Sequence, residues 1–312
     1  MDARKHWFAI ALCTFAIFAV RTAVADGRVM LLAEQLLPSI ALDRPVLVVA
    51  HRGCWKHNAP ENSLSSFKAC VDIGVDAIEM DVRRTRDGVL VVMHDETVDR
   101  TTNGKGRVQD LTLKQLRKLR LRKGSGGPRA RLTRETPPTF EEAMIALRGS
   151  ILVNVDAKAN IFNAALEVLE RTGTADQVIM KRGVSAADAP LLQVAPFNRV
   201  FAMPIVSERT GAASALLQSQ LAVTPPAVEL VFADLAYLHV AAPMIQRVGS
   251  RVWVNTLKRK HAGGMRDVEA LVHPDAVWGR LIDAGATVIQ TDEPLALRKY
   301  LESKGRRPPG EF

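Results

Sequence analysis

The chain has 312 residues, a formal charge of +9 and 47% hydrophobic residues. That composition is ordinary for a globular protein and sets aside fibrous and disordered classes. Nine Lys/Arg and no acid fall within 114–134, so the basicity is local.

Residues 1–6 are short and basic, and 7–20 are apolar but too few to span a bilayer comfortably. Ala23-Val24-Ala25 fits the small-x-small rule for signal cleavage. The expectation is a signal peptide at 1–25 and a periplasmic or secreted protein. Arg21, close to the apolar run, leaves an uncleaved anchor as the alternative. Cys13 follows Leu12, which is too large for a good lipoprotein site. No later stretch reads as a transmembrane helix. Cys54 and Cys70 remain after cleavage, as a disulfide or as two thiols.

Apolar, β-rich runs then recur at 46–50, 77–82, 151–155, 178–180, 200–203, 228–232, 252–254 and 287–289. Between them, 63–73, 162–171, 212–221, 240–248 and 276–284 carry helical patterns. Alternating strands and helices imply a parallel sheet with right-handed crossovers. Eight such units predict a closed (β/α)8 TIM barrel over 26–312. No Gly-rich phosphate loop follows the first strand, which disfavours a doubly wound open sheet. Asp87-Gly88 marks a tight turn, so 77–95 reads as a hairpin: strand two, then a return strand at 89–93. The hairpin leaves a long insertion at about 96–150. It holds a predicted helix at 112–122, opened by a Thr112/Gln115 capping box and closed by glycines. The tail at 306–310 reads as frayed.

The basic stretch 114–134 lacks interleaved aromatic residues and a recognition-helix motif, which argues against nucleic acid. A solvated basic helix and loop is one reading. Contact with an anionic membrane surface or a phosphate-bearing substrate is the other.

In a barrel of this class, reactive groups project from the C-terminal ends of the strands. His51, Glu79 with Asp81, Asp156 with Lys158, and His94 with Asp95 all fall at such ends. Side chains alternate along a strand, so Glu79 and Asp81 share a face. Two imidazoles with paired carboxylates can hold a hard metal ion and move protons beside it. That set suits phosphodiester cleavage. Trp253 to Asn255 and Gln290 to Asp292 add polar groups at the same mouth.

In order along the chain stand HRG (51–53), PEN (60–62), E-x-D (79–81), T-x-DG (85–88), HD (94–95) and RTTNGKG (100–106). PPTFEEA (137–143), D-A-K (156–158), W-x-N (253–255) and TDEP (291–294) follow. This set resembles the glycerophosphodiester phosphodiesterase family over nearly the whole chain beyond residue 25. The resemblance implies a metal-dependent enzyme that releases glycerol 3-phosphate and an alcohol from a small glycerophosphodiester. Carried over by position, Glu79, Asp81 and Asp156 would hold one divalent cation, Ca²⁺ or Mg²⁺. His51 and His94 would be the acid and base. Arg52 and Lys158 would hold phosphate oxygens. Glu61 and Asn62 would brace Arg52 and its loop, or cap the next helix. Trp253 would form a pocket wall, with a core position as the other reading. The family usually has Glu where Asp156 stands and Thr where Ser63 stands, and one more residue before Asn255. A phospholipase D-like enzyme on lysophospholipids or sphingomyelin is a same-fold alternative. A phosphodiester-binding protein without turnover is another.

Overall fold

Eight parallel strands close into a barrel: β1 (Leu47–His51), β2 (Ala77–Arg84), β4 (Leu152–Ala157), β5 (Val178–Gly183), β6 (Phe201–Ser207), β7 (Ala227–Val231), β8 (Arg251–Asn255) and β9 (Val288–Thr291). β9 pairs with β1, and β1 pairs with β2, which completes the ring. The short β3 (Leu90–Val92) runs antiparallel to β2 and lies outside it. The predicted barrel and hairpin are both observed. The computed structural model describes residues 27–308 except Leu42, His57 and Gly211. The expected signal segment at 1–25 lies outside the described residues.

Helices α1 (Gly27–Leu36), α2 (Leu64–Asp72), α3 (Leu113–Leu116), α4 (Phe140–Leu147), α5 (Phe162–Thr172), α6 (Ala213–Leu221), α7 (Leu235–Arg247), α8 (Asp267–Ala270), α9 (Arg280–Asp283) and α10 (Pro294–Ser303) complete the fold. α1 plugs the end of the barrel opposite the C-terminal ends of the strands. Its Leu32 and Leu36 pack with inward residues Leu47, Val49, Ile179, Phe201 and Met203. Burying one such side chain contributes about 1.5–3 kcal/mol. Arg251 ties this plug down, donating from Nε and a terminal nitrogen to Gln35 O at 3.0 and 2.8 Å.

Several local expectations change. The capping box at Thr112 forms, but the helix stops after Leu116. Beyond it the backbone pairs with other strands: Arg122 donates to Thr101 O, and Leu121 to Glu135 O. Those bonds compete with helical ones, and the tertiary partners win. α7 starts five residues earlier than expected because Asp234 caps it, accepting from Ala236 N at 2.8 Å. The 276–284 helix is split into a π turn at Asp275–Gly279 and α9. The tail is held rather than frayed up to Arg307, which pairs with Asp76 beside β1. Cys54 and Cys70 form a disulfide with Cα atoms 5.3 Å apart. Closing a loop of this size contributes about 3 kcal/mol.

Candidate active site

The hairpin and the strand register assemble the site. His51 lies beside Glu79, and Asp81 beside Asp156, on neighbouring strands. Oxygens of Glu79, Asp81 and Asp156 all lie within 4.8 Å of one another. The chain then turns sharply after β1. Arg52 (φ 58°), Gly53 (φ 82°) and Asn62 (φ 54°) adopt left-handed backbone conformations. A Cβ on Gly53 would stand 2.4 Å from Ser66 Oγ, so that position needs glycine. Non-glycine residues in this region cost about 1–3 kcal/mol each, so contacts must hold them there. Arg52 N–H donates to Glu79 Oε2 at 3.0 Å, and Arg52 Nε lies 3.2 Å from Asp81 Oδ2. Asn62 Nδ2 donates to Asp81 Oδ2 at 2.7 Å, and Asn62 Oδ1 accepts from Asp81 N at 3.2 Å.

Charge is concentrated and balanced here. Lys158 Nζ reaches Asp81 Oδ1 at 2.7 Å and Asp156 Oδ2 at 2.8 Å. Lys181, buried inside the barrel, lies 3.7 Å from Asp156 Oδ2 and 3.4 Å from Glu229 Oε2. Burial opposes ionisation of Asp81, but Lys158 and Arg52 overcome it and hold the carboxyl far below its ordinary range. Glu79 has weaker help: burial and then Asp81 push it up to about 7. The donor set fits a hard divalent cation. It is all oxygen, it is anionic, and Asp81 Oδ1 is buried with no hydrogen bond beyond its ion pair with Lys158.

Each imidazole is anchored through Nδ1, which leaves Nε2 as the ring nitrogen outside that contact. His51 Nδ1 lies 2.8 Å from Asp292 Oδ1. Asp292 N–H in turn donates to Asp267 Oδ2 at 2.8 Å. Burial would lower the His51 pKa, but Glu79 and Asp292 reverse that and raise it. His94 Nδ1 lies 2.7 Å from Asp95 Oδ1. For His94, burial prevails and the pKa is lowered. Arg100 Nε donates to Asp95 Oδ2 at 2.6 Å, and Arg100 also donates to Glu61 Oε1 at 2.7 Å. Glu61 pairs with Arg52 at 3.2 Å. An unbroken run of ion pairs thus links His94 to Arg52. Asp81 feels the charge of both imidazoles, which places the two rings around the same carboxylates.

The structure therefore gathers His51, His94, Arg52, Lys158, Glu61, Asn62 and the three acids. Asn62 is not the helix cap; Ser63 takes that place and accepts from Ser66 N. Trp253 is buried among the core residues at the barrel floor, its indole N–H donating to Asn255 Oδ1 at 3.0 Å. It takes the core position, not the pocket wall. Asp95, Asp292 and Arg100 stand in the motifs and strand ends of the sequence reading but without a role, and Lys181 and Glu229 were missed. A charge inside an apolar run, as in 178–183 and 227–231, was the available signal for the last two.

A family model described as the glycerophosphoryl diester phosphodiesterase family matches residues 51–296. A glycerophosphodiester phosphodiesterase from Caldanaerobacter subterraneus is 46% identical over 116 residues, 37% of this chain and 46% of that protein. Glycerophosphodiester phosphodiesterase 1 of Mus musculus is 42% identical over 129 residues, 39% of this chain and 37% of the relative. The matched region thus spans less than half the length of these curated relatives. Among solved structures, a glycerophosphoryl diester phosphodiesterase from Parabacteroides distasonis superposes with a TM-score of 0.68 at 21% identity, covering 88% of this chain and 92% of that one. An Oleispira antarctica phosphodiesterase, solved with the product sn-glycerol-3-phosphate, has a TM-score of 0.61 at 20% identity, covering 86% of this chain and 99% of that one. At such identities these two likenesses establish the fold.

Proposed function

The chain belongs to the glycerophosphoryl diester phosphodiesterase family, and we propose that it hydrolyses glycerophosphodiesters to glycerol 3-phosphate and an alcohol. One observation carries the reading: three carboxylates meet at one point, with two Nδ1-anchored imidazoles around them. Glu79, Asp81 and Asp156 would hold a divalent cation, Ca²⁺ or Mg²⁺, which when bound would supply charge neutralisation and polarisation of the phosphodiester. Arg52 and Lys158 bind the non-bridging oxygens through charge-assisted bonds. One imidazole takes, through Nε2, the proton of the attacking oxygen, which is water or the neighbouring glycerol hydroxyl whose cyclic phosphate water then opens, and the other protonates the departing alkoxide. Asp292 and Asp95 keep the two rings oriented while their charge changes.

The basic insertion supports an added reading, that the mouth works against an anionic lipid surface. Lys118, Arg120, Arg129 and Arg131 are exposed, beside an exposed Leu132. The same segment is fixed to the mouth, since Gly124 O accepts from Glu61 N and Gly127 N donates to Arg100 O. Export is part of the proposal, and the Cys54–Cys70 bond accords with an oxidising compartment.

The test is a panel of glycerophosphodiesters and lysophosphatidylcholine vesicles, assayed with Ca²⁺, Mg²⁺ or chelator for glycerol 3-phosphate release. Chelator-sensitive release from the soluble diesters is expected. Absence of release with either metal overturns the proposal, and choline release from the vesicles alone favours the phospholipase D-like reading.

A further inference from the structure

Resting on that reading, we infer that the cleft beyond Lys158 receives the leaving alcohol and selects polyhydroxy alcohols over quaternary ammonium head groups. The cleft has a volume of about 610 Å³. It opens where β4 and β5 end, and Lys158 belongs both to it and to the carboxylate cluster. A phosphodiester held by Lys158 therefore has one substituent directed into this space. The smaller cleft, of about 370 Å³, lies on the other side, behind Asp292, the residue that anchors His51.

The lining decides what fits. Lys158, Asn160, Phe162, Asn163, Arg182 and Phe197 supply its chemistry, and no carboxylate lines it among the described residues. A quaternary ammonium is recognised by aromatic faces and carboxylates. Here the face of Phe197 is already covered by a fixed cation: the Arg182 guanidinium carbon stands 5.1 Å from the ring centroid. Asp188 holds that guanidinium in place at 3.1 Å. Phe162 packs on Phe197 with centroids 4.7 Å apart, which leaves it as an apolar floor. A choline group would thus find no carboxylate on the lining, only two cations whose charge Asp81, Asp156 and Asp188 already pair. A polyol meets the opposite: the amides of Asn160 and Asn163 and the free guanidinium N–H groups match hydroxyls, and Phe162 takes the C–H face of a glycerol or cyclitol.

The experiment compares kcat/KM for glycerophosphoinositol and glycerophosphoglycerol with that for glycerophosphocholine, under one metal condition. A preference of about tenfold for the polyols is expected, since choline finds no carboxylate on the lining to pair with while a polyol gains hydrogen bonds from the cleft's amides and guanidinium. Arg182→Met should reduce that ratio about fivefold, mainly through KM for the polyols, the scale of one hydrogen bond to a charged donor. Asn163→Ala, at an exposed position that does not threaten folding, should reduce it about twofold in the same direction. Equal or better use of glycerophosphocholine, or an unchanged ratio in Arg182→Met and Asn163→Ala, overturns the assignment of the cleft while the hydrolase reading stands. Failure of every diester to yield glycerol 3-phosphate overturns both.

Discussion

Asp292→Asn tests the proton-transfer geometry most directly. The substitution keeps the size of the side chain and leaves the Asp292 backbone bond to Asp267 untouched. It removes a carboxylate 2.8 Å from His51 Nδ1, at a ring only 13% exposed, so water cannot easily replace it. A hydrogen bond to a charged partner is worth about 1.5–3 kcal/mol. At about 1.4 kcal/mol per decade, loss of that bond as the ring changes charge lowers kcat by about 10- to 150-fold. Asp292 also raises the His51 pKa, so the limb of the pH–rate profile that reports His51 moves to lower pH in the variant. The assay is glycerol 3-phosphate release across pH, with cation binding measured by calorimetry and folding by circular dichroism. A rate within threefold of wild type, with an unshifted profile, refutes the assigned coupling.

His51→Ala and His94→Ala should each lower kcat by about 10²- to 10⁴-fold with the fold intact, and near-normal turnover in either removes that residue from the mechanism. Glu79→Gln should weaken Ca²⁺ or Mg²⁺ binding by calorimetry at least about tenfold; equal affinity contradicts its place as a ligand. Arg100→Met should loosen His94 and also change the acid stability. Hydrogen bonds from Arg100 hold Asp95 at about 2, so that stabilisation is complete above the ordinary carboxylate range and is lost as pH falls through about 4 toward 2. The variant's deficit in thermal midpoint should therefore be largest at neutral pH and shrink near pH 3; a deficit constant with pH excludes this role. Replacing Lys118, Arg120, Arg129 and Arg131 with Gln should cut partition onto phosphatidylglycerol vesicles by well over tenfold, at about 1 kcal/mol per basic residue. An unchanged partition returns the segment to ordinary solvated surface.

The barrel was legible because its strands are buried on both faces and read as apolar runs, separated by segments of helical period. Glu79 and Asp81 were legible because alternation alone fixes their shared face. The helix at 112–122 was overread: its cap is local and real, but Leu121 and Arg122 bond to Glu135 and Thr101, partners no local pattern contains. Arg307 carries no local sign of being held, because its partner, Asp76, stands 231 positions away in the chain.

Residue order by itself determined the fold class, the hairpin and which polar side chains stand at the strand ends, because strand period and strand ends are local properties. Only the folded barrel decided which anion serves which cation. Asp292 meets His51, Arg100 joins Asp95 to Glu61, and Lys181 lies between Asp156 and Glu229. Electrostatic partnership depends on distance through space and on burial, and closing the ring brings together charges up to 241 positions apart in the chain.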